Sequence, residues 1–254
     1  MLAQLSANLY MKVNMFTFFV STIYDMNPKP PSSKSVETRK KIVDSALTLF
    51  EKKGYDKATM RDIAAEANVS LGLTYRYFSQ KEELVLELYE LLTQNAAEAV
   101  DELPKDTLAK RYPAALSLCL ESLAPHRGML GALFSAGLSV TSPVSVLGEE
   151  TSEVRSKMWM TYNRLLKGCT DAPKGKQVDQ ISTLMYAGHL LTVLFWIQDR
   201  SENQTFTKKL LAFCEKGIRL ARPFLRVRIV TNLLTEFSEI VQPFFGNPSS
   251  NPTK

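Results

Sequence analysis

Few residues in this 254-residue chain have types and spacing suited to covalent or metal chemistry. Cys119, Cys169 and Cys214 are far apart and odd in number, which indicates neither a disulfide framework nor a zinc ribbon and fits a reducing cytosol. His126 sits between Pro125 and Arg127, and His189 lies in an apolar run; each is open to two readings, a ligand-contacting group or a satisfied structural histidine. The chain has no Gly-rich phosphate loop, nucleophile elbow, metal-ligand pair or GxGxxG, so no enzyme, cofactor or metal site is expected. What remains is electrostatics. Residues 26–81 hold eleven Lys and Arg against six Asp and Glu, a surplus equal to the whole net charge of +5. Positive charge concentrated on a small module is the footprint of polyanion binding, and the neutral remainder argues against a generally sticky basic protein.

The elements that must position this charge are three short helices. Over 40–53, Ile42, Ala46, Leu49 and Phe50 recur on one helix face, and Gly54 supplies a left-handed stop. Thr59 opens a second helix with Asp62 three residues on, a capping pattern that satisfies orphan amides. Asn68 tolerates a left-handed backbone, Val69 fills the space between helices and Ser70 caps the third. This order predicts a helix-turn-helix, whose third helix lies in a DNA groove.

The residue types at this spacing are more specific than the generic motif. Ser70, Gly72, Tyr75, Tyr77 and Phe78, followed by Lys81, Glu82 and Leu84, resemble the DNA-binding signature of the TetR family of bacterial repressors. So do Ile42, Ala46, Phe50, Gly54, Thr59, Ile63 and Ala64, and the resemblance covers Val36 to about Leu88. Two positions depart from it: Asn68, where the family usually has Gly, and Thr74, where it usually has a larger apolar residue. Asn keeps the backbone geometry, whereas Thr74 leaves a smaller core contact.

The resemblance implies that Leu71, Leu73, Tyr75 and Arg76 face the major groove. Arg76 suits a bidentate contact to guanine, worth roughly 1–3 kcal/mol of discrimination, while Leu71 and Leu73 can only pack on thymine methyls or the sugar edge. Thr59, Ser70, Tyr77 and Lys81 match positions that hold the phosphate backbone, and Arg39, Lys40 and Lys41 are neighbouring cations that add to them. Tyr75 or Tyr77 as packing residues, and Lys81 as a solvated surface charge, are the plainer alternatives.

Beyond Lys81, Ser79 with Glu82 reads as a capping box that starts a long helix limited by Pro104. Further helices are expected near 113–124, 127–138, 151–167, 177–200 and 205–221, and no strand signal competes, so the fold class is all-α. The run 184–197 is apolar around most of its circumference but, at 14 residues, too short to span a membrane. It is therefore core, or core on one side and a second subunit on the other. The resembled family pairs its subunits through a four-helix bundle of its last two helices, which makes a homodimer the expectation, with His189, Val193, Trp196, Ile197, Leu210 and Phe213 as interface candidates. The family also encloses an apolar effector pocket, for which Met129, Leu133, Phe134, Trp159, Tyr162 and Met185 are candidates and plain core residues the alternative. The partners so implied are double-stranded DNA, a second copy and a small hydrophobic effector, with no membrane and a cytoplasmic location.

Four segments follow. Residues 1–34 are an extension, either disordered behind a true translation start at Met26 or an apolar element packed on the body. Residues 35–81 are the DNA-binding module, 82–226 an effector-binding and dimerisation domain, and 227–254 an extra amphipathic helix with a polar tail. Two other functions stay open: a DNA-binding regulator governed by a protein partner without an effector, and a helical lipid- or metabolite-binding protein that does not read DNA.

Overall fold

Apolar periodicity and punctuation convert directly into helices. The computed structural model describes residues 33–245, apart from the side chains of Phe134, Ser135 and Arg226. The expectations for residues 1–32 and 246–254 lie outside that range. The described residues form ten α-helices joined by turns and short 3-10 segments, with no strand among them. In order these are α1 (Ser33–Lys53), α2 (Met60–Glu66), α3 (Leu71–Tyr77), α4 (Lys81–Asp101), α5 (Leu108–Leu123), α6 (Arg127–Leu138), α7 (Ser152–Lys167), α8 (Gln177–Gln198), α9 (Thr205–Ala221) and α10 (Arg228–Phe245). Contacts divide the chain into two compact units after Leu88, inside α4.

The first unit is built on fully buried Ile42, Ala46, Phe50, Ile63, Ala67, Leu84 and Leu88, with α2 packed against α1 and α3. Phe50 meets Tyr55 edge-on, ring centroids 5.3 Å apart. The helix starting at Lys81 is entered differently from the sequence expectation. The Ser79 amide donates to Glu83 at 2.9 Å, whereas Glu82 accepts from the Tyr55 hydroxyl at 2.8 Å. A Glu one residue further along reaches back just as well, and Tyr55 captures the nearer one.

In the second unit α8 lies against both α7 and α10, and α5 packs on α9. At 22 residues α8 is long and apolar enough to cross a membrane by length and composition, so a 14-residue run does not exclude that. Packing identifies it instead as a core helix: Ser182, Thr183, His189 and Thr192 are buried along it, and Thr183 accepts the Trp159 indole at 3.0 Å. α5 also begins earlier than expected and carries Pro113 in its interior. The Leu108 amide donates to Asp171 at 2.8 Å, so a carboxylate 63 residues away satisfies an orphan donor and adds a turn before the proline.

His189 sits at the centre of this unit, 5.6 Å from the Tyr162 ring and 6.3 Å from that of Tyr186, and its Nδ1 finds no protein partner. Burial pushes its imidazole down to about 4. The unfolded chain takes up that proton near the ordinary value of 6.5, so stability falls as pH drops from 6.5 towards 4. His189→Phe is expected to flatten this fall by up to about 3 kcal/mol at pH 4. Urea unfolding at pH 7 and pH 4 measures it, and parallel losses in both proteins would refute it.

Candidate nucleic-acid interface

The helix-turn-helix of α2 and α3 rests on three local devices. Thr59 accepts the Asp62 amide at 3.2 Å while Asp62 accepts the Thr59 amide at 2.9 Å, a complete capping box that fixes the start of α2. Asn68 adopts φ +50°, turning the chain with the left-handed geometry expected of it. Ser70 then accepts the Leu73 amide at 3.1 Å and opens α3. Lys53 holds Asp62 at 2.7 Å, and this contact, together with the Thr59 hydroxyl and amide, lowers the carboxyl to about 2.

α3 buries Thr74 completely, with its hydroxyl turned onto the Ser70 carbonyl at 3.2 Å, and Phe78 closes its end. The threonine departure is thus absorbed: the smaller side chain satisfies its own polar atom within the turn. The opposite face is open. Tyr75 is 50% exposed, Gly72 and Arg76 are exposed, and Leu71 and Leu73 are half-buried. A side chain built at Gly72 would meet nothing within 4 Å, so packing inside the protein does not require glycine there. This position went unremarked as a contact site in the sequence, since only the empty space around it distinguishes it.

The cations expected at phosphates separate into two groups. Arg39 is a strut. It donates to Glu87 at 3.0 and 2.6 Å and to the Tyr77 carbonyl at 3.4 Å, and lies 4.4 Å over the Phe78 ring. Lys81 is engaged likewise, donating to the Tyr55 and Asp56 carbonyls at 3.0 and 3.4 Å over the Tyr55 ring. The Tyr77 hydroxyl is 3.0 Å from Ser35. Lys40 pairs with Asp44 at 2.7 Å, and Lys40 and Lys41 border a groove shared with Glu37, Asp44 and Glu66, which divides their field. Thr59 and Ser70 are exposed at the N-termini of α2 and α3. Lys57 and Arg61, not singled out in the sequence, are exposed beside Thr59 and make no ion pair among the described residues. Their signal was charge within one turn of a capped helix start.

Residues 42–88 match the family described as bacterial regulatory proteins, tetR family, and residues 111–240 match the tetracyclin repressor-like C-terminal domain. The chain belongs to the TetR family. The second match reaches into α10, so the resemblance extends further along the chain than the N-terminal signature indicated. Among TetR relatives, the transcriptional repressor KstR of Rhodococcus jostii is 42% identical over 55 residues, 22% of this chain and 26% of that protein. The matches span about a third of the length of the first curated relatives. In fold, a TetR-family regulator from Syntrophomonas wolfei aligns with TM-score 0.60 at 22% identity, covering 72% of this chain and 95% of that one. The regulator FadR of Bacillus subtilis, in complex with stearoyl-CoA, aligns with TM-score 0.56 at 18% identity, covering 70% and 98%. These matched relatives are regulators rather than enzymes.

The remaining candidates fall in the second unit. Met129, Leu133, Trp159, Tyr162 and Met185 are all buried, and the Phe134 side chain is outside the described set. Tyr162 is 5.8 Å from Tyr112, whose hydroxyl donates to the Met185 carbonyl at 2.7 Å. Of the interface candidates, Phe213 is 70% exposed, and Val193, Ile197 and Leu210 are half-buried. His189 and Trp196 point inward, 5% and 1% exposed; the Trp196 indole donates to Gln204 at 2.8 Å under the Arg127 guanidinium. Leu191 and Phe195 are the exposed large apolar residues of α8.

Proposed function

We propose that this TetR-family chain is a homodimeric transcriptional repressor that reads a palindromic operator with α3 and leaves it when a hydrophobic small molecule binds the second unit. The observation that carries the reading is the open face of α3, where Arg76 and Tyr75 are exposed and Gly72 leaves room for close approach, on a module that holds the chain's surplus positive charge. Base reading falls to Arg76 and Tyr75, with Leu71 and Leu73 as apolar neighbours. Phosphate contacts fall to Thr59, Ser70, Lys57 and Arg61 at the helix starts, while Arg39, Tyr77 and Lys81 hold α3 in place.

Fluorescence anisotropy against the chain's own upstream DNA, a scrambled duplex and a salt series tests this. Preference by about 10³ or more is expected of a specific regulator, and equal weak binding to both refutes DNA reading at that site. Arg76→Ala is expected to lose roughly 1–3 kcal/mol of operator affinity and to relax preference at one base pair. A uniform loss over all sequences would instead make Arg76 a phosphate contact.

Support for the effector comes from the aromatic cluster around His189, where a buried imidazole nitrogen lacks a protein partner beside the Tyr162 and Tyr186 rings. A molecule with a long apolar chain and a polar head is the effector class such surroundings favour. The FadR complex recommends stearoyl-CoA as a first probe. A tenfold loss of operator affinity on adding it requires about 1.4 kcal/mol of coupling; no change with this or with probes that carry the long acyl chain without the charged coenzyme A head would favour control by a protein partner.

A further inference from the structure

α10 has two apolar faces, of which only one is covered. Ser238 is buried with half-buried Leu234, Val241 and Phe245 beside it, Gln180 of α8 donates to Thr235 at 3.0 Å, and Phe245 meets the Tyr186 ring at 6.3 Å. The other face repeats Ile229, Leu233, Phe237, Ile240 and Phe244 at helical spacing, each between 53% and 72% exposed. α9 exposes Phe206, Phe213 and Leu220 at steps of seven, and α8 adds Leu191 and Phe195. Most of the exposed large apolar side chains among the described residues lie on these three helices.

Area limits what this surface can be. A large side chain left half bare exposes about 100 Å², so the α10 stripe by itself reaches the roughly 300–600 Å² of the largest patch on an ordinary monomer. With α8 and α9 the bare apolar surface is on the order of 1,000 Å² per chain, the share contributed by each partner of an obligate homodimer. A bundle of α8 and α9 alone would leave the α10 stripe in water.

Charge selects the partner helix. Glu236 and Glu239 flank the α10 stripe, and the remaining charge of α10 is Arg228 at its start. α9 carries Lys208, Lys209, Lys216 and Arg219 against Glu215, which Arg219 already pairs at 2.7 Å. Packing α10 on its own copy would oppose carboxylates, whereas packing it on α9 of another copy opposes carboxylates with lysines.

We propose that the exposed face of α10 docks on α9 of a second copy of this chain, adding a third helix per protomer to the dimer surface. The inference rests on the homodimer reading and extends it by naming the partner of α10. In a two-fold dimer the contact occurs twice, so each change to α10 is felt at both ends of the interface.

Sedimentation velocity on the full chain tests it through a charge exchange between exposed residues. The double variant Glu236→Lys, Glu239→Lys is expected to raise the dimer Kd about tenfold or more, and adding Lys209→Glu, Lys216→Glu to restore it to within about threefold. Leu233→Asp with Phe237→Asp is expected to weaken association further, with the melting temperature of the monomer retained. Phe213→Asp on α9 separates the two readings. Dissociation by Phe213→Asp with no effect of any α10 variant overturns the α10 contact and leaves the dimer standing. A monomeric wild-type chain at micromolar concentration overturns both. Unchanged association with a lowered melting temperature in the α10 variants assigns the stripe to a segment of the same chain, and capture of the wild type by neutral lipid vesicles assigns it to a membrane surface; either overturns the proposal.

Discussion

Phe50→Ala is expected to unfold the N-terminal unit while the unit beyond Leu88 stays folded. Phe50 is completely buried, meets Tyr55 edge-on, and is with Phe78 the largest fully buried side chain of its unit. Truncating a buried phenylalanine costs about 3–5 kcal/mol. A unit of this size buries a smaller share of its surface than a large domain does, so that loss is comparable to its whole stability. Phe50→Leu keeps most of the volume and is expected to cost less than about 1.5 kcal/mol. Hydrogen exchange resolves the outcome: amides of α1 to α3 should lose protection in Phe50→Ala while those of α7 and α8 keep theirs. Loss of protection throughout would show that the two units unfold as one.

Where the sequence was informative, its signals were local. Thr59 with Asp62, Ser70, the left-handed Asn68 and Gly54 at φ +83° are each determined within four residues, and each appears where the pattern places it. Features determined at long range were not visible. Nothing near Leu108 announces that Asp171 will cap its helix. Arg39 looked like a free cation because its partner, Glu87, lies 48 residues away. The contact of Tyr77 with Ser35, 42 residues back in α1, was equally out of sight.

The inward direction of His189 and Trp196 illustrates a different limit. A helix apolar on nearly every face has no periodicity from which orientation can be read, and the polar residues that would mark its core face, Ser182, Thr183 and Thr192, look like surface residues until their partners are known. α9 and α10 are the opposite case. Their amphipathic patterns were plain, yet each pattern was wider than one core contact needs, and a single chain covers only half of it.

Phe213→Asp is expected to have the largest effect on operator binding, although Phe213 belongs to the other unit from α3. In the proposed dimer each α3 holds one half-site, and the second half-site is bound as an intramolecular event. Linking two such contacts raises affinity by about 10²–10⁴ over one. Phe213 is 70% exposed on α9, so the substitution places a charge on a surface already in water and leaves the fold of the free chain intact. In the dimer the same carboxylate would be desolvated opposite apolar side chains, and association is favoured to break instead. Operator affinity should therefore fall about a hundredfold or more while binding to an isolated half-site stays within about twofold. Anisotropy with full and half-site duplexes measures both in one series. Equal losses on the two duplexes would mean that Phe213 acts on the reading helix itself and not through pairing of the subunits.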